Sequence, residues 1–361
     1  MLDPFALMVT VVILAIVFDY INGFHDTANA IATVVSTNVL SPRAAVILAA
    51  VFNFGGAFLG TGVAKTIGGD IADPISITQT VVLCALLAAI SWNLLTWWFG
   101  IPSSSSHTLV GGMVGSIFAR RVFEEGVGAQ SAITTLVTSG GVVKVLKGLV
   151  LSPFAGFIMG LLMMVLTTWV VRKVAPKTVN RIFRRLQLVS ASAMALSHGT
   201  NDAQKVMGIV SMALYAYYGK LGASAAPPWL DIHAWQTKHE LVVPVWVIAA
   251  CAIAMALGTS AGGWRVMKTM GSRIIRLKPI HGFCAETAGA LVLFGAALTH
   301  SPVSTTHCIS SSIMGVGASR RLSAVRWGVA GNMIFAWVLT LPVSAALGAL
   351  IYLALRPIFG A

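Results

Sequence analysis

Two short stretches of this chain hold residues whose types and spacing could do chemistry. IPSSSSH (101–107) and SPVSTTH (301–307) each set a proline, a hydroxyl run and a histidine inside otherwise apolar sequence. Proline removes a backbone N–H and disfavours helix in the residue before it. The small-residue apolar sequence that follows resumes as helix, so each stretch reads as a span that breaks and restarts with hydroxyls at its new N-terminus. Such an end exposes unsatisfied N–H groups and the positive pole of the helix dipole, which attract anions. Two such ends meeting would surround a tetrahedral oxyanion with neutral donors. Ser104, Ser105 and Ser106 would come from one, and Ser304, Thr305 and Thr306 from the other. The bland alternative, hydroxyls that only cap or glue helices, explains one run better than it explains two matched runs, each abutting a histidine.

A second pair of stretches is acidic. INGFHDTANA (21–30) and SHGTNDAQK (197–205) place Asp26 and Asp202 in apolar surroundings, where a charge is costly and usually faces a functional cavity. A carboxylate beside an oxyanion repels it unless a cation lies between them. Asp26 and Asp202, with Asn29, Asn201 and Gln204, are therefore expected to bind a coupling cation, sodium being the metal considered for the two acids. Gly23 and Gly199 are expected to let the helix unwind there, so that freed carbonyls complete an oxygen shell. The structural alternative for Asp202 is a salt bridge to Lys205. His25, His107, His198 and His307 lie in or beside these motifs and are candidate proton or gating groups, against the commoner case of a neutral buried histidine. Glu286 and Asp19 are further acids in apolar sequence, ranked behind these for gating or pairing, and Asn53, Asn93 and Asn332 read as interhelical hydrogen-bonding residues.

The elements that must position these residues are membrane spans. Of 361 residues 57% are hydrophobic and only 10% charged, with mean hydropathy +0.85, whereas soluble domains carry about a quarter charged residues. Windows 5–20, 44–64, 149–171, 243–262 and 327–355 are long and nearly uncharged, near or above the roughly 20 residues that cross a hydrocarbon core as helix. The alternating ten-residue pattern of a membrane barrel is missing. The first apolar segment lacks a basic start and a small-residue cleavage site, so no removable leader is expected. The net charge of +13 falls largely in connectors and reads as topology signal rather than nucleic-acid affinity. Cys84, Cys251, Cys284 and Cys308 sit at no ligand spacing and read as small packing residues.

The sequence also matches itself. NGFHDTANAIATVVS (22–36) resembles HGTNDAQKVMGIVSM (198–212), AKTIGG (64–69) resembles MKTMGS (267–272), and the hydroxyl runs match in the same order. The basic connectors 172–185 and 265–278 belong in the cytoplasm by the positive-inside rule, and the loops holding Asp70, Asp73, Asp231 and Glu240 belong outside. Both termini then fall outside, and the two halves enter the membrane in opposite senses. The expected architecture is an all-α polytopic membrane protein of two inverted-topology repeats. Each has roughly five to six helices, roughly ten to twelve spans in all, broken or re-entrant at the midplane. Residues 1–171 form the first repeat, 172–186 a basic cytoplasmic linker and 187–361 the second. One feature strains this topology: Arg120 and Arg121 would lie outside while Arg320 and Arg321 lie inside.

The paired stretches FDYINGFHDTANAIATVVST with SHGTNDAQKVMG, and IPSSSSHTLVGG with SPVSTTHCISSS, resemble the signatures of the inorganic phosphate transporter family over essentially the whole chain. The resemblance implies a secondary transporter that moves phosphate together with a cation. It places cation coordination around Asp26 and Asp202, with Asn29 and Gln204 in the same signatures. It places phosphate contact at Ser104, Ser105, Ser106, Ser304, Thr305 and Thr306. The short centre lacks the large hydrophilic insert of animal relatives and looks bacterial, which points to the inner (cytoplasmic) membrane. No resident cofactor is expected. The co-transported ion is Na+ or H+, or Mg2+ carried as a metal–phosphate complex. The expected partners are inorganic phosphate and the lipid bilayer, with a homodimer as a candidate assembly and no nucleic acid.

Three other readings compete. A sulfate symporter would use the same oxyanion site, but sulfate only accepts hydrogen bonds, so acceptors facing the anion favour phosphate. An intramembrane hydrolase would need Ser106, His107 and Asp26 as a triad, which duplication in two halves does not call for. A channel would share the midplane polar residues but pass current without coupling.

Overall fold

The computed structural model describes residues 3–70, 77–222, 226–230 and 241–359, and every regular element among them is helical. Asp73, Asp231 and Glu240, acids of the expected outer loops, lie outside the described residues. Among the described residues thirteen α-helices follow one another. They are α1 (Pro4–Ser36), α2 (Pro42–Ala57), α3 (Gly62–Lys65), α4 (Gln79–Phe99), α5 (Ser105–Phe123), α6 (Ala129–Val137), α7 (Gly140–Val170), α8 (Pro176–Leu221), α9 (Val245–Ala261), α10 (Trp264–Lys268), α11 (Pro279–Leu298), α12 (Thr305–Ala318) and α13 (Trp327–Phe359). Proline opens α1, α2, α8 and α11, where its fixed φ suits a helix start and its missing N–H is no loss. Asp3 and Ser41 supply cap acceptors to the N–H groups of Ala6 (3.2 Å) and Ala44 (3.3 Å).

Helices α1, α4, α7, α11 and α13 are each long and apolar enough to cross a bilayer. Two further spans are bent: α2 meets α3 and its wide turn at 66°, and α9 meets α10 and its wide turn at 61°. Length and composition thus give five to seven crossings, fewer than the expected ten to twelve. The shortfall lies in α5 and α12, which begin inside the protein, and in α8. Helix α8 has 46 residues, roughly 70 Å at the α-helical rise. The linker expected over 172–186 is mostly the start of this helix. Nothing after Pro176 interrupts the helical pattern, and Phe183, Gln187 and Ser190 give the basic segment a buried stripe while its arginines stay exposed. The outward surface carries Ile13, Ile47, Val51, Phe154, Phe335 and Val338 half-exposed or more, the apolar face a lipid-embedded protein presents. The chain is a multi-pass membrane protein.

Packing crosses between the two parts of the sequence. Helix α1 lies along α9 as α8 lies along α2; α5 lies along α13 as α12 lies along α7; α1 and α8 also touch each other. At the first two crossings the backbones nearly meet: a Cβ on Gly23 would stand 2.5 Å from the Met255 carbonyl oxygen, and one on Gly199 would stand 2.2 Å from that of Asn53. This close approach replaces the unwinding expected at those glycines. Helices α1 and α8 run unbroken past Asp26 and Asp202, so their carbonyls stay in helical hydrogen bonds, and the glycines instead make room for a neighbouring helix.

The two double arginines differ in company. Arg120 lies 3.7 Å from Glu124 and 3.4 Å from Glu125, and Arg121 lies 3.7 Å from Glu125. Arg320 and Arg321 instead join Arg276 and Arg326 around a cavity of about 600 Å³ whose lining contains no acid. The four cysteines are buried and unpaired.

Candidate functional site

The breaks expected at the two prolines are present. Helix α4 ends at Gly100, which takes the left-handed conformation (φ +65°) a helix C-cap requires. An extended stretch then leads to Ser104, whose Oγ accepts from the N–H of His107 at 3.4 Å and starts α5. After α11, Ser304 does the same for the N–H of His307 at 3.2 Å and starts α12. In both helices the fourth N–H already closes a helical bond, from Thr108 to Ser104 and from Cys308 to Ser304. The N–H groups of Ser105, Ser106, Thr305 and Thr306 are left without an acceptor among the described residues, as free donors at two dipole-positive ends.

These ends converge on the acids. Ser105 Oγ donates to Asp26 Oδ2 at 3.0 Å, and Thr305 Oγ1 donates to Asp202 Oδ2 at 3.0 Å. Thr306 Oγ1 reaches across to Asp26 Oδ1 at 3.4 Å. Asn29 Nδ2 ties the group together, donating to Thr306 Oγ1 at 2.9 Å and Thr305 Oγ1 at 3.3 Å. Ser104, Ser105, Ser106, Ser304, Thr305, Thr306, Asn29 and both aspartates are at most 6% exposed, so the cluster is sealed from bulk water. Charges there act through a low effective dielectric.

Each aspartate has its own flank. His25 Nδ1 donates to Asp26 Oδ1 at 2.7 Å, while its Nε2 lies 3.2 Å from Thr96 Oγ1 and 3.3 Å from Ser103 Oγ. Asp202 Oδ1 accepts from the ammonium of Lys205, the ion pair that was the structural alternative for this acid. Its Oδ2 faces His198 Nε2 at 3.0 Å, and the partners of His198 fix which nitrogen that is. Thr259 Oγ1 donates to the Met255 carbonyl, so it accepts from Asn53 Nδ2 at 2.9 Å, which leaves Asn53 Oδ1 to accept from His198 Nδ1 at 3.2 Å. In a neutral ring Nε2 then carries its lone pair toward the carboxylate, and in a protonated ring it forms an ion pair with it. One ligand atom each from Asp26, His198 and Asp202 lie within 4.8 Å of one another. Two carboxylates and an imidazole this close together could hold a cation.

Other expected residues lie elsewhere. Gln204 Oε1 accepts from the N–H groups of Val63 (2.8 Å) and Ala64 (3.4 Å), so it caps α3 instead of joining the acids. Asn201 donates to the carbonyls of Ser197 and Leu293. His107 and His307 stack on each other at 4.9 Å, with Trp337 over His307 at 4.2 Å. Glu286 accepts from Thr33 (2.6 Å), Gln187 (2.9 Å) and Ser190, a buried cluster of its own. Asp19 is fully buried beside the Cys251 thiol and the Asn22 side chain. The triad of the hydrolase reading does not assemble, because Ser105 rather than Ser106 bonds Asp26 and His107 faces another histidine. Asn53 bonds between helices as expected, but sequence reasoning missed that it does so with Thr259 and thereby orients His198. The signal lies in residues far from the motif, and only folding brings them to it.

Known proteins bear on this geometry. Residues 22–348 match the model of the phosphate transporter family. A protein of Bacillus subtilis (strain 168) described as a probable low-affinity inorganic phosphate transporter is 47% identical over 355 residues, 98% of each chain. One of Rhizobium meliloti (strain 1021) with the same description is 47% identical over 351 residues, 97% of each chain. A solved structure titled the sodium-dependent phosphate transporter superposes with a TM-score of 0.79 over 98% of this chain and 100% of that one, at 24% identity, and shares its fold.

Proposed function

Because the chain belongs to the phosphate transporter family, we propose that it imports inorganic phosphate across the cytoplasmic membrane by symport with a cation. The observation that carries this reading is the convergence of two hydroxyl-bearing helix ends on one sealed pair of aspartates. Phosphate would be held by the free N–H groups of Ser105, Ser106, Thr305 and Thr306 and by the hydroxyls of Ser104, Ser105, Ser106, Ser304, Thr305 and Thr306. A helix terminus binds oxyanions through such donors without a formal positive charge, so the anion is selected yet able to leave. The carboxylates alongside accept from the hydroxyls of a protonated phosphate, a contact that fully ionised sulfate cannot return.

Charge explains the need for a second ion. The buried cluster holds two carboxylates against one lysine ammonium, so it is anionic before phosphate enters. A monoanionic phosphate would double that excess in a medium of low dielectric. A cation arriving with the phosphate, at the point shared by Asp26, His198 and Asp202, offsets it. Binding of either ion therefore favours the other, which is the linkage symport requires.

The architecture that would turn this site to either face is a pair of inverted repeats, residues 1–171 and 187–361. The exchanged packing of α1 with α9 and α8 with α2, the two similar bends and the matched serine caps support it. With the basic ends inside, Arg320 and Arg321 face the cytoplasm. The outer pair, Arg120 and Arg121, is neutralised by Glu124 and Glu125, which eases the strain that pair put on the topology.

Uptake of labelled phosphate into proteoliposomes, with sodium, pH and magnesium gradients imposed one at a time, tests the proposal. Accumulation driven by one of these gradients and resistant to excess sulfate is expected. Equilibration that ignores every gradient, or full inhibition by equimolar sulfate, would refute it.

A further inference from the structure

Each half of the site sets one aspartate against one capped helix, and the two differ in the residue three positions on. Asp26 and Asp202 occupy matching places in the self-similar segments, and each accepts at 3.0 Å from the first residue of a capped helix, Ser105 or Thr305. Three positions on, the first half has Asn29 and the second has Lys205. Asn29 brings no charge and turns its amide to Thr305 and Thr306. Lys205 turns its ammonium to Asp202, and both side chains are shut off from solvent, Lys205 at 2% exposure and Asp202 at none. A buried ammonium persists only where an anion pairs with it, and a buried carboxylate needs a cation in return. Asp202 has that countercharge built into the chain. Asp26 has hydroxyls and the His25 ring, with no lysine or arginine within ion-pairing distance among the described residues.

We infer that the Lys205 ammonium stands permanently where the second half would otherwise take a cation, so that each transport cycle takes up one inorganic cation, at the point Asp26 shares with His198 and Asp202. The inference rests on the symport reading and makes it more specific. A tethered ammonium is neither delivered with the substrate nor released with it. It supplies the charge that holds phosphate near Asp202 but adds nothing to the driving force. The protein therefore couples each phosphate to one inorganic cation fewer than the same site would with two vacant positions. That favours operation at low sodium over steep accumulation.

Exchanging residues between the halves tests it. Lys205→Asn gives the second half the residue of the first, Lys205→Arg keeps the charge, and Asn29→Lys gives the first half the residue of the second. Sodium binding to purified protein is measured by equilibrium dialysis with labelled sodium in saturating phosphate, and the order of phosphate uptake in sodium is measured in proteoliposomes. Lys205→Asn should bind one more sodium per chain than wild type and show an uptake order higher by one, while Lys205→Arg keeps the wild-type order. Should Lys205→Asn fail to fold, Asn29→Lys decides by dialysis alone, with sodium binding expected to disappear. Unchanged sodium stoichiometry in a folded Lys205→Asn, or wild-type sodium binding in Asn29→Lys, overturns the inference. Failure of wild type to move phosphate would count against the symport reading instead, since the dialysis comparison stands without transport.

Discussion

Thr305 touches both acid-bearing helices, α1 and α8, donating to Asp202 Oδ2 at 3.0 Å and accepting from Asn29 Nδ2 at 3.3 Å. Thr305→Val keeps the volume and the branched Cβ and removes only this atom. The bond to the carboxylate, a charged acceptor, contributes about 1.5–3 kcal/mol, and the longer bond from Asn29 contributes at most about 1 kcal/mol. Both losses fall on the buried site, where water cannot replace the missing partner. If half to all of that total appears in phosphate binding, affinity weakens by roughly three- to several-hundred-fold, since about 1.4 kcal/mol is a factor of ten. Calorimetric titration of purified protein with phosphate reads this directly, and initial-rate uptake separates it from turnover, with KM expected to rise more than kcat falls. Thr305→Ser, which restores the hydroxyl, should recover most of the affinity. The Asn29→Ala and Thr305→Val pair should be non-additive, because each removes a group the other needs. Affinity within twofold of wild type in Thr305→Val would refute the reasoning and place the anion away from the α12 terminus.

Three further outcomes follow from the geometry. Gly199→Ala would drive a methyl to 2.2 Å from the Asn53 carbonyl; the overpacking should cost about 1–3 kcal/mol and lower the thermal midpoint in detergent, and an unchanged midpoint would mean that α8 and α2 separate easily. Gln204→Met should destabilise the start of α3 by about 1 kcal/mol through the lost cap while leaving the sodium order of uptake intact; a changed order would make Gln204 a cation ligand after all. Glu286→Gln should destabilise by about 1–3 kcal/mol, because an amide cannot accept from Thr33, Gln187 and Ser190 through both of its heteroatoms, and unaltered thermal stability would show that the Glu286 cluster does not support the fold.

What could be read from the sequence was what local physics decides. A proline, then hydroxyls, then a small-residue run specifies a helix restart whatever surrounds it, and Ser104 and Ser304 cap as that pattern requires. Asp26 and Asp202 were legible because a charge in apolar sequence has few tolerable places. The errors arose where a distant element settles the outcome. Gly23 and Gly199 look like helix breakers in isolation, but α9 and α2 use their bare Cα atoms as contact surface, and the helices continue. Gln204 sits in the same run as Asp202, yet α8 presents it to the start of α3, a neighbour that residues 197–205 do not reveal. Span ends are hard to read for a related reason: α5 and α12 begin within the protein and α8 extends well beyond a bilayer's thickness, so hydropathy windows do not mark their ends.

The crossing of α1 with α9 and of α8 with α2 bears on how this molecule must be made and how it can move. A polypeptide severed ahead of Pro176 would yield two products, each missing the surface its own acidic rod was shaped to lie against. Each would wait, half-assembled in lipid, for the other. The four rods form an interlocked cradle, and α4 with α5 and α13, and α11 with α12 and α7, hang from it as two arms. Each arm is therefore drawn from both ends of the gene.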